Sequence, residues 1–304
     1  MPRPQGLAPT TAIGPSLRLK SADVYPPQYP HLAGHLWREL RVNPCRLIWT
    51  RRALALELAR REFAGRYRDS FGGVLWSFVQ PLFLLAVYTL AFGVILQVRP
   101  FPGAGTSSYA LTLFAGLILF NAFSEILRRA PTLISSSPNY VKKVVFPLEI
   151  LPWVLVIAVL AHALIGVGVW TAGYLLLVGL PHSSWFWFPI VLLAFLPVLL
   201  GTGWLLAALG VMVRDVEQLT GMVSHALLFL TPIFYDVDSV PALLGPWLMA
   251  NPLTFIVTQL RLVLFVGQEP DFVGLAIYFL AGGLYCGLAF LLFRRLRPAF
   301  ADLL

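Results

Sequence analysis

Residues 150–213 read ILPWVLVIAVLAHALIGVGVWTAGYLLLVGLPHSSWFWFPIVLLAFLPVLLGTGWLLAALGVMV, 64 residues without one Lys, Arg, Asp or Glu. A helix crossing about 30 Å of hydrocarbon at 1.5 Å per residue needs roughly 20 apolar residues. The stretch therefore holds two crossings and a turn. The turn is legible as Gly179-Leu-Pro-His-Ser-Ser184, the one break in the run. Lipid is the solvent this implies, and the fold class is all-α integral membrane.

Charge-free stretches on either side give the other crossings by the same ruler. Ser70 to Val98 holds a span at about Val74 to Leu96, and Pro100 to Ser124 opens a second near Tyr109 to Leu127. Gln218 to Tyr235 is a shorter fifth, and Phe272 to Phe293 completes six transmembrane helices. Composition agrees: 58% of the 304 residues are hydrophobic, 12% are charged, and the mean hydropathy is +0.78. Soluble domains carry about twice that charged fraction.

The net charge of +8 would suit a nucleic-acid partner only if it formed a basic face on a soluble fold. Its distribution says otherwise. Twelve of the 22 Lys and Arg residues precede residue 70, four lie between Arg128 and Lys143, Arg214 follows span four, and three end the chain. These twenty alternate onto one side, against Arg99 and Arg261 on the other, which places both termini in the cytoplasm. No nucleic acid is expected as a partner.

The first thirty residues hold seven prolines and no apolar run, so they read as a flexible tail and not as a signal peptide. Domain boundaries follow: a Pro-rich tail over 1–31, amphipathic interfacial helices over 32–70, and a six-span domain over 71–304. Within the second, Leu36 to Arg68 alternates leucines with arginines and is split by Pro44. Such a helix suits the headgroup boundary, as a plain anchor or as part of a gate.

Ser239 to Gly267 is apolar enough to resemble a seventh span, but Pro241, Pro246 and Pro252 interrupt it. A crossing there would also move Arg294, Arg295 and Arg297 to the wrong side. Two short re-entrant helices between spans five and six fit better, forming a lid on the outer mouth. On the cytoplasmic side, Ser135 to Glu149 reads as a short helix capped by Asn139 and ended by Pro147, or as a plain basic loop held by lipid.

Reaction chemistry is absent. There is no Gly-Lys pair, hence no Walker-type phosphate loop, and no zinc or serine-hydrolase motif. Cys45 and Cys286 match neither a zinc nor a redox spacing. Within the spans, Glu125 is expected to pair with Arg128 and His162 to be a packed polar residue, which leaves no proton relay. Arg214, Asp215 and Glu217 read as a local salt-bridged turn, and Trp185 and Trp187 as belt anchors. Energy is expected to arrive from another chain.

Three segments carry a resemblance: Arg61-Glu-Phe-Ala-Gly-Arg-Tyr-Arg-Asp-Ser-Phe-Gly-Gly-Val-Leu-Trp76 with Gln80-Pro81 and Tyr88; Asn139-Tyr-Val-Lys-Lys-Val-Val-Phe-Pro-Leu-Glu-Ile-Leu-Pro152; and Arg214-Asp-Val-Glu-Gln218 followed by Thr231-Pro-Ile-Phe-Tyr235, Pro241 and Asn251-Pro252. Their order and spacing over roughly 36–300 resemble the membrane subunits of ABC transporters that export polysaccharides (O-antigen, capsule, wall teichoic acid). The Pro-rich tail and the paired Gly72-Gly73 depart from that pattern.

The resemblance implies a homodimeric channel above two copies of a separate ABC ATPase. ATP and Mg would bind that partner, and no cofactor this chain. The cargo would be a lipid-linked polysaccharide crossing the bacterial inner membrane. Asn139, Tyr140, Lys142, Lys143, Phe146 and Pro147 would then couple to the ATPase, while Arg61, Arg66, Tyr67, Arg68 and Trp76 would form the inner gate. Tyr235, Pro241, Pro246, Asn251, Pro252 and Arg261 would form the outer gate. A permease for a small drug or lipid is the alternative, and a membrane-embedded glycosyl- or acyltransferase a third reading that lacks a site.

Overall fold

A computed structural model describes residues 49–65, 75–95, 106–137, 146–235, 240–241, 243 and 245–303. The described residues form helices and turns, with no strand among them. Helix α1 is Arg52–Gly65, and α2 is Trp76–Tyr88, continued by a π-helical stretch Thr89–Ile95. Next come α3 (Thr106–Arg129), α4 (Leu151–Leu177) and α5 (Phe188–Met212). Short 3₁₀ turns, Leu148–Ile150 and Ser183–Trp187, lead into α4 and α5. Then follow α6 (Val216–Leu230), α7 (Gly245–Ala250), α8 (Pro252–Arg261) with a π-helical extension Leu262–Val266, and α9 (Phe272–Leu303).

Among the described residues, four helices are long and apolar enough to cross a membrane: Tyr109–Arg129, Leu148–Leu177, Ser183–Met212 and Phe272–Phe300. Trp76–Ala91, Val216–Leu230 and Pro252–Val266 are shorter apolar helices. Pro152 and Pro189 sit in the first turns of α4 and α5, where the missing N–H has no intrahelical partner to lose.

We call the end of the bundle at Glu149 basal and the end at Trp185 apical. Helix α3 runs through the middle, and between Ala110 and Leu127 Asn121 is its only exposed residue. Trp170 of α4 donates its indole N–H to the Leu111 carbonyl at 2.8 Å, and the Ser124 hydroxyl meets that of Ser224 on α6. A polar contact between apolar helices fixes their register where hydrophobicity alone cannot.

The broadest helix contact among the described residues joins α5 to α9. Small residues allow it: a Cβ on Gly201 would meet the Tyr285 ring at 2.6 Å, and one on Gly282 would meet Val198 at 3.0 Å. Trp204 then packs edge-on to Phe290 at 4.9 Å between centroids. At the basal end the backbone of Gly210 lies directly against the Pro131 carbonyl, so α5 and the turn after α3 touch without a side chain between them.

Helix α1 docks on α4 through two buried alanines, Ala55 and Ala59, which face Ile150 and Val154. Phe63 lies against the His162 ring at 4.6 Å, and Glu62 is ion-paired to Arg129 of α3.

Several expectations need correction. Glu125 pairs with Arg129, not Arg128, at 3.0 Å, because four residues along a helix bring side chains onto one face. The fifth apolar helix ends at Leu230, not Tyr235, since Thr231 turns extended ahead of Pro232. The last helix continues past Phe293 to Leu303, with Phe300 buried against Phe293. Trp185 is half-buried and does more than face its surroundings: its ring packs at 5.1 Å from both Trp170 and Tyr174. Arg214, Asp215 and Glu217 are all exposed, and no ion pair joins them among the described residues.

Candidate functional site

At 15 residues, α6 is about 22 Å long and stops short of a bilayer's thickness. Its last carbonyls, and those of the turn after it, therefore need partners in apolar surroundings. Side chains from three other places supply them. Asn251 donates its amide to the Leu230 carbonyl at 3.2 Å and to the Thr231 hydroxyl at 3.0 Å. Arg261 donates to the Pro232 carbonyl at 2.7 Å and also to that of Ile233. Tyr109 at the start of α3 reaches the Phe234 carbonyl at 2.8 Å, and Tyr235 turns back onto that of Phe229 at 2.9 Å.

The guanidinium thus sits at the carbonyl end of a helix, where a cation is favoured. Asn251 and Arg261 bracket α8, so this one short helix clasps the end of α6 from both of its own ends.

Local sequence explains how α8 is held. Asn251 is its N-cap, its side-chain oxygen accepting the Leu253 N–H at 2.9 Å, and Pro252 follows at the position that tolerates proline best. Thr254 donates to the Leu248 carbonyl at 2.6 Å and ties α7 to α8. Tyr278 of α9 donates to the Pro252 carbonyl at 2.9 Å, and Gln259 accepts the Asp271 N–H at 2.8 Å. Ser184 and Trp185 donate to Val263 and Leu264 at 2.6 and 2.8 Å. Gly267 ends the π-helical extension at φ 81°, a left-handed conformation, with the His182 ring where a Cβ would go.

Of the expected outer set, then, Tyr235, Asn251, Pro252 and Arg261 are brought together, whereas Pro241 and Pro246 are exposed outside the clasp. Gln259 was not singled out by sequence, and Tyr109 and Thr231 were read there only as a span start and the start of a motif, with no role at this site. Replacing Asn251 by alanine is expected to remove the cap and both donated bonds, about 2 kcal/mol in all. Asn251→Asp keeps only the cap and should recover less than half. Melting temperatures in detergent check both.

At the basal end, Asn139, Tyr140, Lys142 and Lys143 lie outside the described residues, as do Arg66, Tyr67 and Arg68. Phe146 is half-buried against the main core, and Pro147 accepts the Ile150 N–H at 3.0 Å, closing the 3₁₀ turn. Arg61 is exposed and pairs with Glu57 at 2.9 Å, a surface pair of little energetic weight. Trp76 is half exposed at the start of α2. The residue sequence reasoning passed over is Glu149. It is 3% exposed, pairs with Arg297 at 2.7 Å, and its carbonyl accepts the Trp204 indole N–H at 3.1 Å. The signal was available: it is the one acid that borders the 64-residue charge-free run, and such an acid needs a cation.

Long apolar helices around a buried central one, with an interrupted helix whose backbone is satisfied by side chains, define a multi-pass all-α membrane protein. The chain belongs to the ABC-2 type transporter family, whose sequence pattern matches residues 54–265. It is 27% identical over 233 residues to the O-antigen export system permease protein RfbA of Myxococcus xanthus, covering 74% of this chain and 85% of that protein. It is 24% identical over 253 residues to a protein of the same name from Klebsiella pneumoniae, covering 83% and 95%.

Proposed function

We propose that this chain is the channel-forming membrane subunit of an ATP-driven exporter that moves a lipid-linked polysaccharide such as an O-antigen across the bacterial inner membrane. The clasp of α8 on α6 carries this reading. Irregular backbone at membrane depth is tolerated only where protein or a water-filled path surrounds it. A helix interrupted there and closed by hydrogen bonds suits a mouth that opens. The ABC-2 family match and the O-antigen export role for which the relatives are named support the same conclusion.

In this reading α2, α3, α4, α5, α6 and α9 are the six spans, and α7 with α8 is the re-entrant outer pair. The bonds of α8 support it: Pro252 is held by Tyr278, about two turns into α9, while Val263 and Leu264 are held at the apical turn. Apical is then outside, and both termini are cytoplasmic. Two copies of the chain enclose the path. The exposed apolar faces of α2 and α6, with Phe83 and Phe229, meet lipid or the second copy. Two ATPase chains bearing ATP and Mg dock at 139–147. The α1 segment with Arg61 and the Arg66-Tyr67-Arg68 run closes the inner side, and the clasp closes the outer.

Co-expression with the ATPase encoded beside this chain, followed by purification on a tag carried by this chain alone, tests the proposal. A two-plus-two complex is expected, together with loss of periodate-oxidisable surface carbohydrate when the gene is deleted. A chain that purifies alone, with surface carbohydrate unaffected by its deletion, would refute the reading.

A further inference from the structure

The Glu149–Arg297 ion pair joins residues 148 positions apart, one leaving the basal segment and one near the end of the last helix. The Glu149 side chain is 4% exposed and that of Arg297 25%. Arg297 also reaches the Phe146 carbonyl at 3.4 Å, so it holds both ends of the turn that leads into α4. Trp204 of α5 fixes the same turn through the Glu149 carbonyl. A buried ion pair gives back in attraction about what it costs in lost hydration, so packed apolar residues would serve stability equally well. What such a pair adds is a defined geometry that breaks if either partner moves.

Helix α9 has the dimensions of a strut. Its 32 residues span about 48 Å, well beyond the hydrocarbon. Its basal end grips the turn at Glu149. Its apical end grips α8 through Tyr278 on Pro252, Asp271 on Gln259, and the Phe255–Tyr278 ring stack at 5.6 Å. Between these ends it is keyed into α5 at Gly201 and Gly282, which prevents sliding.

We infer that Glu149 and Arg297 are positioning residues for transport: they lock the exit of the basal segment to α9, which carries displacement of that segment to the α8 clasp. The inference rests on the reading of residues 139–147 as the docking place of the ATPase. Breaking the lock should leave docking and hydrolysis intact while uncoupling them from export.

The test uses the full complex and three readouts: subunit stoichiometry by mass, ATP hydrolysis in liposomes, and export in cells by periodate and aminooxy-fluorophore labelling of surface carbohydrate. Arg297→Gln is expected to assemble normally and hydrolyse ATP within about twofold of wild type, while export falls at least about tenfold. Arg297→Lys should restore half or more of export. The double variant Glu149→Gln, Arg297→Met removes the pair without stranding a buried charge, and should uncouple in the same way if Arg297→Gln alone fails to fold. Wild-type export by the double variant would overturn the inference. So would parallel loss of assembly, hydrolysis and export that lysine does not rescue. A wild-type chain that binds no ATPase overturns instead the functional reading beneath it.

Discussion

Gly210→Ala is expected to lower the melting temperature of the purified protein by on the order of 10 °C. A Cβ at this position would fall onto the carbonyl group of Pro131, which is backbone and cannot rotate aside as a side chain would. The basal ends of α3 and α5 must separate, a cost of about 3 kcal/mol for overpacking, with each kcal/mol worth a few degrees in a chain of this size. Gly168 and Gly283 supply the control, because nothing lies within 4 Å of a Cβ built on either. Alanine there should be neutral or stabilising by about 0.5 kcal/mol through helix propensity. Equal melting temperatures for the alanine variants at 210 and 168 would show that the contact with Pro131 yields freely.

The second large effect is at Arg261. Methionine fills much of the same volume but leaves the Pro232 and Ile233 carbonyls without their donors, at about 1–3 kcal/mol each. The clasp should loosen without global unfolding, because the α5–α9 contact is untouched. A single cysteine at Ile233, which is 1% exposed, reports on this in a chain with Cys45 and Cys286 replaced. Labelling by a membrane-impermeant maleimide should rise at least about tenfold in Arg261→Met. Arg261→Lys should fall between, since an ammonium lacks the planar fork that reaches two carbonyls at once. Unchanged labelling would mean that Asn251 and Tyr109 suffice to hold the turn.

Much of the architecture was legible because lipid imposes a simple ruler. A charge-free run of 64 residues has few alternatives to two crossings, and α4 and α5 lie within it as expected. Prolines marked the breaks around α7 and α8 for the same reason that they stop any helix. Partners were harder to see. That Arg261 serves the carbonyls of Pro232 and Ile233 depends on how α8 lies against α3 and α6, and no periodicity encodes that. Trp185 read as an interfacial aromatic because it follows the turn between two spans, yet its indole N–H is used within the protein, on the Leu264 carbonyl. Glu149 appeared as the end of a motif; that it needs a cation could be read beside its charge-free run, but that the cation is Arg297, 148 residues away, is visible only in the fold.

The seam between α5 and α9 has a consequence for biogenesis. Helix α9 leaves the ribosome well after α5, yet it covers the face of α5 that holds Gly201 and Thr202. Until α9 is made, that face of α5 lacks the helix that fills it. A nascent chain halted before Phe272 therefore carries an open groove, which closes once Tyr285 seats beside Thr202 at 3.3 Å.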